Sequence, residues 1–124
     1  AALPRTPTAP NDPERLLAAM GGPEFAGLAG VCLGAAEAGS PVVLDGLATS
    51  VAALIATKFS PGLHGWLVAS QASREQVHHI VLAELGLEAL MELRMRAGEG
   101  VGACFGAQMI LTGLQVRRTA ARTC

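Results

Sequence analysis

Apolar residues recur at helical spacing near the start of the chain and predict two helices. "NDPERLLAAM" has Asp12 in position to cap a helix and Pro13 at the first helical position, and its leucines share one face. "PEFAGLAGVCLGAAEAG" predicts a second helix that begins at Pro23. That helix is expected to end at Gly39, since glycine readily takes the left-handed conformation found after many helices.

Two short unbroken apolar runs, in "SPVVLDG" and "HGWLVAS", predict buried strands, the second with Trp66 in the core. Each run precedes a stretch with helical periodicity, "LATSVAALIATKF" and then "SREQVHHIVLAELG", which ends at Gly86. The stretch "LEALMELRMRAGEG" fits both a helix and an extended segment, and a last helix is predicted from about Val101 to Arg117. Strands that alternate with helices are typical of an α/β fold with a parallel sheet covered on both faces. Since two buried strands do not make a stable sheet, we expect this sheet to be incomplete.

The composition supports an incomplete unit. Hydrophobic residues make up 51% of the 124 residues and charged residues only 15%, whereas a small domain needs abundant polar cover. We therefore expect part of the surface to be covered by a missing portion of a larger protein or by a partner subunit. Three prolines mark residues 1–10 as a disordered leader, residues 11–116 form the α/β unit, and residues 117–124 are a basic tail.

Charge and cysteine usage exclude several classes of function. A net charge of −1 and a pI near 6.3 argue against a nucleic-acid partner. The longest charge-free stretch, 100–116, is rich in glycine and contains glutamine and threonine, which argues against a membrane span. Three cysteines without a C-x-x-C motif indicate a reducing, cytoplasmic location and no zinc site. His78 and His79 point about 100° apart on their helix, so no metal site is predicted there.

Small polar residues follow both predicted strands. Ligands of open parallel sheets bind beyond the carboxyl ends of the strands, and helix N-termini there bind anions such as phosphate. The alternative is that these residues only cap helices, and Ser73 with Gln76 has the spacing of a capping box. Both interpretations stay open for the residues concerned, which are Asp45, Gly46, Thr49, Ser50, Ser70, Gln71 and Ser73.

Glu99 stands between Gly98 and Gly100, at the start of an apolar helix, unlike the other acids of the chain. It is suited to capping that helix, where the helix dipole stabilises a carboxylate. It is also suited to acting as a general base in an apolar site. The residues by themselves favour the cap slightly and leave the general base open.

Four stretches follow one another in the order of one enzyme family: "MGGPEFAGLAG", "PVVLDGLATSVAALIA", "SPGLHGWLVASQASRE" and "LAELGLEALMELRMRAGEGVGA". Over about residues 11–110 the chain resembles the C-terminal part of the nicotinate-nucleotide–dimethylbenzimidazole phosphoribosyltransferases of cobalamin biosynthesis. The resemblance implies a Rossmann-like parallel sheet and a homodimer with active sites near the subunit interface. It implies transfer of phosphoribose from nicotinate mononucleotide to 5,6-dimethylbenzimidazole, giving α-ribazole phosphate and nicotinate. No cofactor and no metal are implied.

The resemblance also implies roles for individual residues. Glu99 is expected to be the catalytic base that takes a proton from the benzimidazole, with Gly98 and Gly100 giving clearance for its flat ring. Gly46 and Ser73 are expected near the phosphate or ribose of the nucleotide. Where the family has Ser-x-Glu-Pro-Gly-His, this chain has "SREQVH" at 73–78. Family enzymes are much longer, so we expect little activity from the chain alone. The alternative is a non-catalytic remnant that binds a nucleotide or a partner chain.

Overall fold

The first two helices lie where the sequence predicts them. The computed structural model describes residues 12–95 and 97–120. Helix α1 spans Pro13–Met20, and helix α2 spans Pro23–Glu37. Both begin with proline at the first helical position, where the missing N–H costs no hydrogen bond.

Two short strands form the sheet. Strand β1, Val42–Leu44, lies parallel to strand β2, Leu67–Ala69, in register along all three residues. Helix α3, Leu47–Phe59, and a 3-10 helix, Pro61–Trp66, connect the strands. The α/β class and the parallel sheet are therefore confirmed, while the Rossmann-like arrangement remains a prediction.

The chain after β2 forms two helices, with an extended segment around Met91 between them. Helix α4 spans Gln76–Leu85, and helix α5 spans Val101–Ala120, beyond its predicted end. Around Met91 the ambiguous stretch is extended, because Met91 pairs with Gln71 in a parallel bridge beside β2. Backbone hydrogen bonds from the N–H groups of residues 90 and 91 to the carbonyl oxygens of residues 69 and 70 support this bridge.

The predicted N-cap of α1 and the predicted C-terminal glycines of α2 and α4 are present. The Asp12 side chain accepts a hydrogen bond from the backbone N–H of Arg15 at 3.2 Å. Gly39, with φ of 69°, and Gly86, with φ of 63°, hold the left-handed conformation that ends α2 and α4. Local sequence therefore determines the ends of these helices.

Helices cover both faces of the sheet. Leu44 and Leu67 point to one face and belong to a buried cluster with side chains of α2, α3, the 3-10 helix and α4. Val43, one residue along and so on the opposite face, lies against α5 at Gly106. The other members of the cluster are Ala29, Cys32, Ala53, Ala56, Leu63, Val81 and Leu85.

Large apolar side chains remain on the surface of the described residues, as expected of an incomplete unit. Val31, Ile80 and Leu111 are each more than 60% exposed. On α5 only Gly102 and Gly106 are buried, so most of its apolar side chains face outward. Among residues 12–95 and 97–120, no helix has the length and apolar character needed to cross a membrane.

Two expectations need correction or lie beyond the described residues. Trp66 is not in the strand core; it ends the 3-10 helix and is 37% exposed, because β2 begins one residue later. The predicted leader 1–10 lies outside the described residues. Of the predicted basic tail 117–124, residues 117–120 are helical and the rest lie outside the described residues.

Candidate active site

A cleft of about 980 Å³ opens where the carboxyl ends of the two strands meet the N-termini of α3 and α5. It brings together all five residues predicted to bind substrate or catalyse, which are Gly46, Ser73, Gly98, Glu99 and Gly100. Its other lining residues come from α2, the start of α3 and the connections that precede α3, α4 and α5. They are Phe25, Asp45, Leu47, Ala48, Thr49, Val51, Gln71, Arg74, Glu75, Met95 and Ala97.

Glu99 is exposed to the cleft in an uncommon backbone conformation. Its φ is 64°, in the left-handed region, and that of Gly100 is 83°. For a residue with a Cβ this conformation costs roughly 1 kcal/mol. Within the described residues its carboxylate makes no hydrogen bond or ion pair. A strained residue with an unused charged group is typical of a functional site.

Asp45, not Glu99, caps α5. The Asp45 carboxylate, which follows β1, accepts a hydrogen bond from the backbone N–H of Ala103 at 2.9 Å across 58 residues of chain. That N–H is one of the donors in the first turn of α5 that has no partner within the helix. The cap interpretation of Glu99 is therefore wrong, and Asp45 instead fixes the loop that presents Glu99.

Several strand-end hydroxyls serve the fold and not a ligand. The Thr49 hydroxyl oxygen accepts hydrogen bonds from the backbone N–H groups of Asp45 and Gly46, each at 3.0 Å. The Ser70 hydroxyl donates to the carbonyl oxygen of Leu44, joining the two strands. The hydroxyls of Thr49 and Ser70 are therefore already engaged within the fold.

Ser73 lies at the cleft but does not form the predicted capping box. Helix α4 begins at Gln76, so its N-cap is Glu75, and no side chain caps it. Ser73 instead contacts His78, whose Nδ1 accepts the Ser73 backbone N–H at 3.0 Å and lies 2.9 Å from the Ser73 hydroxyl. The Nε2 of His78 lies 3.0 Å from the buried hydroxyl of Ser50.

These bonds define the protonation of His78. A backbone N–H can only donate, so Nδ1 carries a lone pair and the proton is on Nε2, which donates to Ser50. The side chain is 1% exposed. Burial lowers the pKa of His78, and the neighbouring charge of His79 lowers it further, against an opposite effect of Glu75. The imidazole is neutral near pH 7.

Gln71 is a buried amide beside the cleft. It is 4% exposed, and its Oε1 has no hydrogen-bond partner within the described residues. Its amide packs so closely on α5 that a Cβ at Gly102 would lie 2.8 Å from Nε2 and 2.9 Å from the Asp45 carboxylate. The N-terminus of α5 is thus held against the floor of the cleft.

Sequence reasoning missed the roles of Asp45 and His78. It treated Asp45 as one of several strand-end polar residues and considered His78 only as a metal ligand. The bond of Asp45 to Ala103 and that of His78 to Ser50 join residues far apart in the chain. The contact of His78 with Ser73 spans only five positions. Arg74, a cation among the described residues that line the cleft, was also missed, although it directly follows Ser73. No three of His, Cys, Asp and Glu in the described part of the chain are grouped as metal ligands.

Comparison with known proteins shows which family the chain is similar to. A phosphoribosyltransferase family model, DBI_PRT, matches residues 1–123. A nicotinate-nucleotide–dimethylbenzimidazole phosphoribosyltransferase from Desulforudis audaxviator is 42% identical over 108 residues, which are 87% of this chain and 31% of that protein. The protein of the same name from Mycobacterium tuberculosis is 45% identical over 100 residues, which are 81% of this chain and 27% of that protein.

A solved structure is similar as well. The crystal structure of CobT from Thermus thermophilus superimposes with a TM-score of 0.77 at 40% identity, covering 82% of this chain and 31% of that one. The chain thus spans about 30% of the length of the curated relatives it matches. With a family model that matches nearly all of its residues, the chain belongs to the DBI_PRT phosphoribosyltransferase family.

Proposed function

We propose that the chain carries the nucleotide-binding and base-activating part of an enzyme that transfers phosphoribose from nicotinate mononucleotide to 5,6-dimethylbenzimidazole. The products are α-ribazole phosphate and nicotinate. One observation carries this proposal: the structurally unused carboxylate of Glu99 shares a single cleft with Gly46 and Ser73. The names of the relatives support the choice of substrates.

The nucleotide phosphate binds at the start of α3. No side chain caps this helix, so its first N–H groups are available beside Gly46. Helix N-termini of this kind bind phosphate through the N–H groups and the helix dipole. The Ser73 hydroxyl adds a donor, and Arg74, which also lines the cleft, adds a positive charge.

The benzimidazole lies over the loop at residues 98–100. A Cβ at Gly98 or Gly100 would meet nothing within 4 Å, so the backbone there leaves open space for a flat ring. Phe25 and Met95 line the same cleft and provide apolar contact surface. Glu99 lies between the two glycines and meets the ring edge, where the exchangeable proton is.

The reaction needs one proton transfer and one displacement. The Glu99 carboxylate takes the proton from one benzimidazole nitrogen, and the electron pair of the other nitrogen forms the new bond to the anomeric carbon of the ribose. The bond from that carbon to the nicotinate nitrogen breaks. The electron pair goes to the nicotinate nitrogen and removes its positive charge. The loop geometry set by Asp45 holds Glu99 for this transfer.

The rest of the site comes from outside this segment. The chain spans about 30% of its relatives, and Glu99 is exposed in it. We propose that the remaining N-terminal portion of the enzyme, or a second subunit of a homodimer, covers the cleft. The exposed apolar side chains of α5, such as Phe105 and Met109, form a surface suited to such a contact.

The test is Glu99→Gln, compared with Glu88→Gln as a matched exposed control. The chain is combined with the part of the Thermus thermophilus protein that it does not cover, and α-ribazole phosphate is measured by chromatography. We expect Glu99→Gln to lower turnover about 100-fold or more and to change the affinity for nicotinate mononucleotide less than about threefold. Near-normal turnover would refute the general-base role. Nucleotide binding without turnover in the unmodified protein would favour the non-catalytic alternative.

A further inference from the structure

His78 joins three elements beneath the cleft. It lies in the first turn of α4, and its ring is 1% exposed. Nε2 donates to the Ser50 hydroxyl of α3 at 3.0 Å. Nδ1 accepts the backbone N–H of Ser73 at 3.0 Å and lies 2.9 Å from the Ser73 hydroxyl. The ring therefore ties the turn that carries Ser73 to the helix whose N-terminus faces the cleft.

The two contacts at Nδ1 are not equivalent. The backbone N–H points to Nδ1 in every state, since it is fixed by the fold. The hydroxyl rotates freely about its Cβ–Oγ bond, so its proton can point to Nδ1 or into the cleft. When the hydroxyl donates to a ligand, Nδ1 keeps the backbone N–H and loses no obligatory partner. The Ser73 hydroxyl can thus turn from Nδ1 to a ligand without any movement of the backbone.

We propose that His78 is a positioning residue for nucleotide binding, which holds the Ser73 turn by its backbone N–H and leaves the Ser73 hydroxyl free to donate to the nucleotide. This inference rests on the proposed function, in which Ser73 contacts the nucleotide. It adds a residue that does not itself line the cleft. It also explains why a neutral imidazole is needed, because a protonated Nδ1 would repel the Ser73 N–H. The charged and titratable neighbours on either side are Arg74 and Glu75 in the turn and His79 on α4.

The variants separate this role from simple packing. In asparagine, Oδ1 is attached at the same carbon position as Nδ1 in histidine, so His78→Asn keeps an acceptor for the Ser73 N–H. In glutamine, the amide is one carbon further out, so His78→Gln keeps the contact to Ser50 and loses the acceptor for Ser73. His79→Gln is the matched control, since His79 is exposed on the same helix.

The assay uses the combined protein described above and measures KM for nicotinate mononucleotide and kcat. We expect His78→Gln to raise KM about tenfold, the factor that one lost hydrogen bond gives, with kcat changed less than about twofold. We expect His78→Asn to restore most of the affinity and His79→Gln to have no effect. Equal losses in His78→Gln and His78→Asn would overturn the inference in favour of packing alone.

Ser73→Ala separates a failure of this inference from a failure of the proposed function. If Ser73→Ala raises KM and His78→Gln does not, the positioning role is wrong while the proposed function stands. If Ser73→Ala has no effect, the assignment of Ser73 to the nucleotide is wrong and the inference falls with it. A second measurement needs no substitution. Long-range 1H–15N NMR of the unmodified chain should show that His78 is protonated at Nε2 and unprotonated at Nδ1. The opposite tautomer would overturn the inference.

Discussion

At Gly106 helix α5 packs closely against the residue that follows β2, and replacing this glycine with alanine tests how the last helix is docked. A Cβ at Gly106 would lie 2.6 Å from the Cβ and 3.2 Å from the Cα of Ser70. Ser70 has no room to move, because it is fully buried and its backbone N–H and carbonyl are both hydrogen-bonded within the sheet region. In Gly106→Ala the helix must therefore shift away from β1 and β2.

The expected size of the effect follows from two opposing contributions. Overpacking of a close contact costs about 1–3 kcal/mol, and alanine in a helix interior is about 1 kcal/mol more favourable than glycine. Gly106→Ala should thus lower the free energy of unfolding by up to about 2 kcal/mol. Gly113 is the matched control on the same helix, since a Cβ there would meet nothing within 4 Å. Gly113→Ala should raise the free energy of unfolding by about 1 kcal/mol.

Urea unfolding followed by circular dichroism measures both variants of the chain. Because the two substitutions share the same helix-propensity gain, the difference between them isolates the packing at Ser70, about 1–3 kcal/mol. If both variants gain stability by the same amount, α5 is not docked at Gly106. The position of Glu99 at the head of that helix would then lose its structural support.

Three further predictions concern the site. Asp45→Ala should lower the free energy of unfolding by about 1 kcal/mol, because the α5 cap is lost. Asp45→Asn keeps an acceptor oxygen and should lower the free energy of unfolding less. Equal free energies of unfolding for the two variants in urea titration would contradict the cap. Glu99→Gly should raise the free energy of unfolding by about 1 kcal/mol, since glycine tolerates a φ of 64°. The same substitution should abolish turnover. A thermal melt in which the melting temperature does not rise would contradict backbone strain at Glu99. The depressed pKa of His78 makes the unfolded chain bind the additional proton, so stability should fall as the pH drops below 6.5. Urea midpoints at about pH 7.5 and about pH 5.5 should show a smaller fall in His78→Gln, and an unchanged fall would show that other groups cause it.

The helices and strands could be predicted because their signals are local. Asp12 and Pro13 start α1 through bonds that span a single turn, and Gly39 ends α2 through its own backbone conformation. The two apolar runs form three-residue strands, in agreement with their short length and the turn residues beside them. Each of these features needs only neighbouring residues, which the sequence lists in order.

The extended segment around Met91 could not be predicted in the same way. Its residues fit a helix and a strand alike, and the choice is made by pairing with Gln71, twenty positions earlier. At Trp66 the local pattern gave a definite prediction, and that prediction was wrong. A large aromatic residue in an apolar run favours a core strand, but the 3-10 helix extends through it and leaves it partly exposed.

The residues of the candidate site could be predicted from the sequence, but the hydrogen bonds between them could not. Residue types and the family resemblance pointed to Gly46, Ser73 and Glu99, and the structure places them in one cleft. The choice between cap and free acid for Glu99 depended on Asp45, which is 54 positions away. Only the folded chain shows that another carboxylate already caps α5, which leaves Glu99 available for chemistry.

The exposed apolar side chains and the candidate base belong to the same end of the molecule. Val101 and Phe105 are 36% and 53% exposed on the first turns of α5, directly after the loop that holds Glu99. A general base works best where water is excluded, since fixed dipoles and charges then act at low dielectric. Whatever covers this part of α5 would also close the cleft over Glu99. When the remaining part of the enzyme is supplied, the stability of the assembly and its turnover should therefore rise together. A substitution such as Phe105→Ser should lower both the stability and the turnover.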